Sequence, residues 1–477
     1  MTTLAAFPKA APMYQSITLP YRRDTEALFL ALRDLDGAVW LDSGLQAPQV
    51  GRYDIITACP SALIEVSAHG DAFLEFDGSR TSHSGCPLEL AQSLMDSLPP
   101  APEDLRRLPF CGGLAGYISY DFGKRLEQVA NDNPVVAQLP QLRLGLYHWA
   151  LIVDHQAQQS QLIFLESCNS DTRQAVLEHL NGDKSDQQSF SLKAPFSPSQ
   201  TKPDYLKAID RIHEYIRSGD CYQVNYAQHF SAPCEGDPLS AYLQLRQSLP
   251  SPFSAYMDWC NADGRQQAVV SLSPERLLEV NESGRVETKP IKGTIRRGQS
   301  EAEDQANART LLNSGKDRAE NLMIVDLLRN DLGKSCHPGS IRVPKLFALE
   351  SYANVHHLVS TVTGQLDQGS TPLQLLQGCF PGGSITGAPK RRSMEIIEEL
   401  EHQQRSIYCG TIGYLSHCGR MDTNIAIRTL AFDGDKMHCW GGGGIVDESD
   451  ANSEYQESLD KVQVLMNTLE AMKGTSK

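Results

Sequence analysis

The chain has 477 residues, with Lys+Arg 43 against Asp+Glu 58 and a formal charge of −15. That balance argues against an unaided nucleic-acid binder, because phosphate contact needs concentrated positive charge. Hydrophobic residues make up 40% and charged residues 21%, the usage of a globular protein with a sizeable core and not of a disordered or fibrous one. At this length roughly two or three domains are usual, and we expect two lobes.

The first residues, MTTLAAFPKAAPMYQS, lack a basic segment followed by a long apolar one. No run reaches about 18 apolar residues, so a cytoplasmic location is expected. Twelve cysteines carry no C-x-x-C pair and no zinc-like spacing. They read as reduced, structural or incidental thiols, not as a disulfide framework or a metal cage. Residues 20–160 form a first region of short β-rich runs, such as Ala38-Val39-Trp40-Leu41 and Leu151-Ile152-Val153, punctuated by Gly and Pro. Residues 181–203 are polar, aperiodic and rich in Ser and Pro, and read as a linker. A second domain is expected over 204–470. It opens with a helix at 204–218, carrying Tyr205, Ile209, Ile212 and Ile216 at helical spacing. Further helices are expected at about 301–330, 390–402 and 453–472, with strands at 351–364 and 408–416.

Several positions in this second domain could carry chemistry. Lys292 lies in the short apolar-flanked run Lys289-Pro290-Ile291-Lys292-Gly293-Thr294. A solvated strand-end lysine is the plain reading. An amine drawn into a partly buried site would instead lose hydration and become a nucleophile or base. Glu275, in Ser273-Pro274-Glu275-Arg276, could reach Lys292 if the two flanking strands were adjacent, or could simply pair with Arg276. Asp317 and Glu320 share one helix face, and Glu454 and Glu457 share another. Two such helices would suit magnesium, although acidic helix starts also simply favour the dipole. The segment from Phe380 to Lys390 has Ala388 where a phosphate loop needs lysine, so it reads only as a tight turn before a helix. Gly441 to Gly444 would let backbone N–H groups approach a carboxylate, or would form a flexible hairpin turn.

Read in order, SGDCYQVNYAQ, SLSPERLLEV, TKPIKGTIRRG, DRAENLMIVDLLRNDLG, YANVHHLVS, PGGSITGAPKRRSMEIIEEL, YCGTIGYL, MDTNIAIRTL and SEYQESLDK resemble the successive motifs of the chorismate-utilising enzyme family. LDSG and GRYD resemble that family's amino-terminal region. The resemblance implies an α+β fold like that of anthranilate synthase component I: two packed β-sheets with outer helices and a substrate cleft between them. It also separates the branches. Gln223 stands where the water-using members carry a lysine base, which implies ammonia as nucleophile. Lys292 stands where anthranilate synthases have alanine, which implies amination of chorismate at carbon 4, giving 4-amino-4-deoxychorismate for 4-aminobenzoate and folate. An anthranilate-forming enzyme and a catalytically silent tryptophan-binding subunit are the alternatives.

Carried over residue by residue, the resemblance implies that Lys292 attacks ring carbon 2 while Glu275 protonates the departing hydroxyl, with His357 as a further active-site residue. Glu320 and Glu457 would hold Mg2+ against the ring carboxylate. Tyr408, Arg428, Gly442, Gly443, Gly444 and Lys461 would take the substrate's carboxylates, and Gly293 and Thr294 would close the wall. No Cys sits in a G-x-C-x-G elbow, so a glutamine amidotransferase subunit is implied as the ammonia source. Ser43, Val50, Gly51, Arg52, Tyr53, Pro252, Phe253 and Ser254 match the family's tryptophan pocket.

Overall fold

The computed structural model describes residues 14–45, 51–182, 188–352 and 355–472. The expected α+β sandwich is observed: among the described residues, two antiparallel sheets of 13 and 12 strands carry eleven α-helices. Both sheets are built from both halves of the chain. In the first, Tyr14–Leu19, Gln159–Leu165, Trp149–Asp154, Tyr53–Thr57 and Val39–Asp42 run in order to Phe253–Cys260. Gln266–Ser273, Thr429–Asp433, Lys436–Ile445 and Gln223–Gly236 continue it. In the second, Gly113–Ile118 from the N-terminal half pairs with Thr411–Ser416 from the C-terminal half. The two expected lobes therefore interlock through shared sheets.

Alternation along single strands decides which core each residue joins. In Lys436–Ile445, Met437 and Cys439 face the outer core beneath the helices, whereas Trp440 faces the core between the sheets. The helix Ala451–Glu470 covers that outer face with Val462, Leu465 and Leu469, an apolar stripe at helical spacing. The helix Lys202–Ser218 starts where the Thr201 hydroxyl accepts from the Asp204 N–H and stops at left-handed Gly219.

Local structure departs from the sequence reading in four places. The expected helix over 301–330 is two, Glu301–Leu312 and Gly315–Leu332, because Ser314 caps the second one. Residue 181 ends the helix Ser170–Asn181, and the stretch read as a linker lends Phe190–Leu192 and Ser197–Pro198 to the edge of Gln223–Gly236. The helices Glu26–Leu32, Pro87–Asp96 and Tyr120–Leu126 interrupt the N-terminal strands. Gly441 to Gly444 is no hairpin turn: it lies inside Lys436–Ile445, paired with Asn225 to Gln228. Among the described residues no helix is long and apolar enough to cross a membrane.

Candidate active site

A cavity of about 500 Å³ opens between the sheets, a volume suited to a small molecule. The strand Ile291–Arg296 supplies Lys292, Gly293 and Thr294, and the helix Gly315–Leu332 supplies Lys316, Asp317 and Glu320. The strand Lys436–Ile445 supplies Trp440 and Gly441 to Gly444, and the helix Ala451–Glu470 supplies Glu454, Glu457 and Lys461. Glu275, His357, Tyr408 and Arg428 line the same space. Every catalytic, substrate and metal candidate named from the sequence thus faces one cavity.

Glu275 sits where the chain leaves Gln266–Ser273 of the first sheet and enters Arg276–Val280 of the second. Its strand is not adjacent to that of Lys292, since Arg285–Thr288 and Val355–Gln365 intervene in the sheet. The two residues approach across the cavity, and the Ile291 N–H donates to Glu275 Oε1 at 3.4 Å. Arg276 does not pair with Glu275; it binds Glu279 at 2.7 Å and Asp422 at 2.8 Å. Burial raises the Glu275 carboxyl to about 7, against the opposing pull of Lys292. Burial also lowers the Lys292 ammonium, although Glu320 and Glu275 partly hold its proton. A carboxyl raised towards neutrality thus faces an amine whose hold on its proton is weakened.

His357 is buried, and Thr294 Oγ1 lies 2.8 Å from its Nδ1. Burial and the neighbouring Arg428 lower it to about 4, so it is a neutral hydrogen-bonding group at physiological pH. Burial lowers Arg428 too. Among the described residues no carboxylate lies within ion-pair distance of Arg428, which leaves its guanidinium facing the cavity as an open anion site.

The rim carries opposite charges in close order. Lys316 Nζ lies 3.4 Å from Glu454 and 3.9 Å from Glu320, and Lys461 lies 2.7 Å from Glu457 while donating to the Gly442 carbonyl at 2.9 Å. Burial would raise Glu457, but Lys461, Lys316 and Lys292 outweigh it and hold the carboxylate below its ordinary range. Glu320 is raised, because burial outweighs the pull of Lys292 and Lys316. A Cβ on Gly443 would stand 3.2 Å from Glu454 Oε2 and 3.6 Å from Glu457 Oε1, so glycine leaves room for this cluster. Among the described residues no three acidic, His or Cys side chains already form a metal cage. Magnesium takes only one or two protein carboxylates and keeps water for the rest, so Glu320 and Glu457 in one cavity fit it as a donor set.

Asn225, Lys316 and Ser384 also line the cavity and have no functional reading in the sequence, and Glu454 lines it beside Glu457. Glu454 had a signal, because it precedes Glu457 by one helical turn. Asn225 had none, since only sheet pairing brings it opposite Gly444.

A second cavity, about 840 Å³, lies beside the first, and Pro274 and Ile291 line both. Gly51, Arg52, Tyr53, Pro252, Phe253 and Ser254 line this larger space. Ser43 does not: its N–H and hydroxyl both donate to buried Asp54, at 2.8 and 2.6 Å. Val50 lies outside the described residues.

A cleft of this kind, with an acid, an amine and an open arginine between two sheets, is the working part of an enzyme for a small anionic substrate. Residues 51–467 match the family described as chorismate binding enzyme, and the chain belongs to that family. It is 43% identical over 455 residues to aminodeoxychorismate synthase component 1 of Escherichia coli K12, covering 95% of this chain and 98% of that one. The same-named protein of Salmonella typhimurium is 42% identical over 95% of this chain and 98% of its own length. The crystal structure of anthranilate synthase component I from Streptococcus pneumoniae superposes with a TM-score of 0.75 at 29% identity, over 87% of this chain and 92% of that one.

Proposed function

We propose that this chain is an aminodeoxychorismate synthase component 1, which replaces the carbon 4 hydroxyl of chorismate with an amine. The observation that carries this reading is the pairing of Lys292 with Glu275 in one cavity, with burial pushing their proton affinities in opposite directions. The Lys292 amine attacks ring carbon 2, the two ring double bonds shift, and the carbon 4 oxygen leaves as water with the Glu275 proton. Ammonia then attacks carbon 4, the double bonds shift back, and the Lys292 amine is released. Splitting one difficult substitution in this way lets the lysine prepare a site that ammonia then resolves.

Arg428, the Gly442 to Gly444 backbone and Lys461 orient the substrate's carboxylates, and Tyr408 and Thr294 shape the wall. Magnesium, held by Glu320 and Glu457, would neutralise the ring carboxylate and fix its orientation. A glutamine amidotransferase partner supplies ammonia. Tryptophan is the proposed occupant of the larger cavity, where Tyr53 and Phe253 offer aromatic faces and several carboxylates surround the space.

The test is incubation of the purified chain with chorismate, magnesium and an ammonium salt at mildly alkaline pH, with the product identified by mass. A product that keeps the enolpyruvyl group and exchanges one hydroxyl for an amine is expected. Anthranilate with pyruvate, or no turnover, would overturn the reading.

A further inference from the structure

Cys111 and Cys418 line neither cavity and take no part in the proposed chemistry. Cys111 stands just before the strand Gly113–Ile118, and Cys418 lies in the turn after Thr411–Ser416. These strands pair antiparallel with Ser416 opposite Gly113. The His417 N–H donates to the Gly112 carbonyl at 2.7 Å and extends that register by one step. Cys418 follows at once, in the turn that the Gly419 N–H closes on the Ser416 carbonyl at 2.9 Å. Both thiols reach one hydroxyl, since Ser416 Oγ lies 3.7 Å from Cys111 Sγ and 3.3 Å from Cys418 Sγ.

The two thiols are unequal. Cys111 is buried and Cys418 is partly exposed, so an oxidant meets Cys418 first. The hydrogen bond from Cys111 favours the Cys418 thiolate over the penalty of burial, and with help from Ser416 and Arg420 it lowers Cys418 to about 6. The same bond, together with burial, pushes Cys111 up and keeps it protonated.

We propose that Cys111 and Cys418 form a peroxide-sensitive dithiol that closes to an intrachain disulfide. The Cys418 thiolate attacks one peroxide oxygen; the O–O bond breaks, hydroxide leaves, and a sulfenic acid forms on Cys418. The Cys111 sulfur then attacks the Cys418 sulfur, forming the S–S bond and expelling the sulfenic oxygen as hydroxide. The hydroxides leave as water with the two thiol protons, so two thiols are oxidised while one peroxide is reduced to two waters. The bond would tie together two loops that also supply Pro109 and Arg420 to the wall of the larger cavity.

The experiment treats the reduced full-length protein with hydrogen peroxide, alkylates the remaining thiols, and maps the peptides by mass. A Cys111–Cys418 linked peptide, two hydrogens lighter than its parts and lost on treatment with dithiothreitol, is expected. Recovery of both residues alkylated, or of Cys418 as sulfinic acid without the link, would overturn the proposal. In Cys111→Ser the reaction should stop at the Cys418 sulfenic acid and be trapped by dimedone. Absence of that adduct would overturn the assignment of Cys418 as the first site of attack.

Discussion

Lys292 and Glu275 do opposite work with one physical cause. Removing water disfavours the charged form of each, so the lysine is readied to give an electron pair and the glutamate to give a proton. Lys292→Ala should therefore lower carbon 4 amination by at least about a thousandfold, while thermal unfolding shows little loss of stability, because the buried Glu275 left behind can keep its proton and stay neutral. Wild-type turnover in that variant would remove the lysine from the mechanism. The pH dependence carries a definite sign. Loss of the Lys292 proton should raise activity with pH, and loss of the Glu275 proton, from about 7 upward, should oppose that rise and set an alkaline limb. Measured at constant free ammonia, Glu275→Gln should cost about 100- to 10,000-fold in kcat and abolish the alkaline limb. An alkaline limb that survives in Glu275→Gln would assign it to another group. Arg428 shows the limit of reading single residues: in the sequence it is an ordinary arginine, and only the fold reveals that it is half-buried with no carboxylate in ion-pair distance among the described residues.

At the scale of elements, four consecutive glycines in the middle of a strand run against local propensity. That is why Gly441 to Gly444 suggested a turn, and only the register with Asn225 to Gln228 explains the strand. The glycines are required for two different reasons. A Cβ on Gly442 would stand 2.4 Å from the Tyr226 carbonyl oxygen, which is backbone and cannot yield. On Gly443 it would meet only the ends of Glu454, Lys461 and Glu457, which can move. Gly442→Ala should thus cost about 1–3 kcal/mol of stability in denaturant unfolding, by forcing the strand pair apart. Gly443→Ala should keep the wild-type midpoint and raise KM for chorismate by disturbing the rim. Equal loss of stability in both variants would contradict this division. The helices Lys202–Ser218, Lys390–Leu400 and Ala451–Glu470 were legible because their signals are local. The strands at Phe190–Leu192 and Ser197–Pro198 were not, because they exist only through pairing with Gln223–Gly236.

The whole molecule is joined where sequence composition suggested a boundary. Val39–Asp42 pairs with Phe253–Cys260 in one sheet, and Gly113–Ile118 with Thr411–Ser416 in the other. Between these seams Arg246 clamps buried Asp42 through bonds of 2.5 and 3.1 Å, so a helix of one half holds a strand of the other. Cutting the chain at residue 203 would expose a long edge on each sheet, leave Arg246 without its carboxylate, and open the core between the sheets to water. A fragment spanning 204–470 contains every residue lining the active-site cavity, yet it should aggregate or give no cooperative unfolding transition. The full chain should unfold in a single calorimetric transition. Co-expression with a fragment spanning 14–203 should restore solubility, because the missing strands return in trans. A soluble 204–470 fragment with its own cooperative transition would show that the catalytic half is a domain in its own right and that the shared sheets are dispensable.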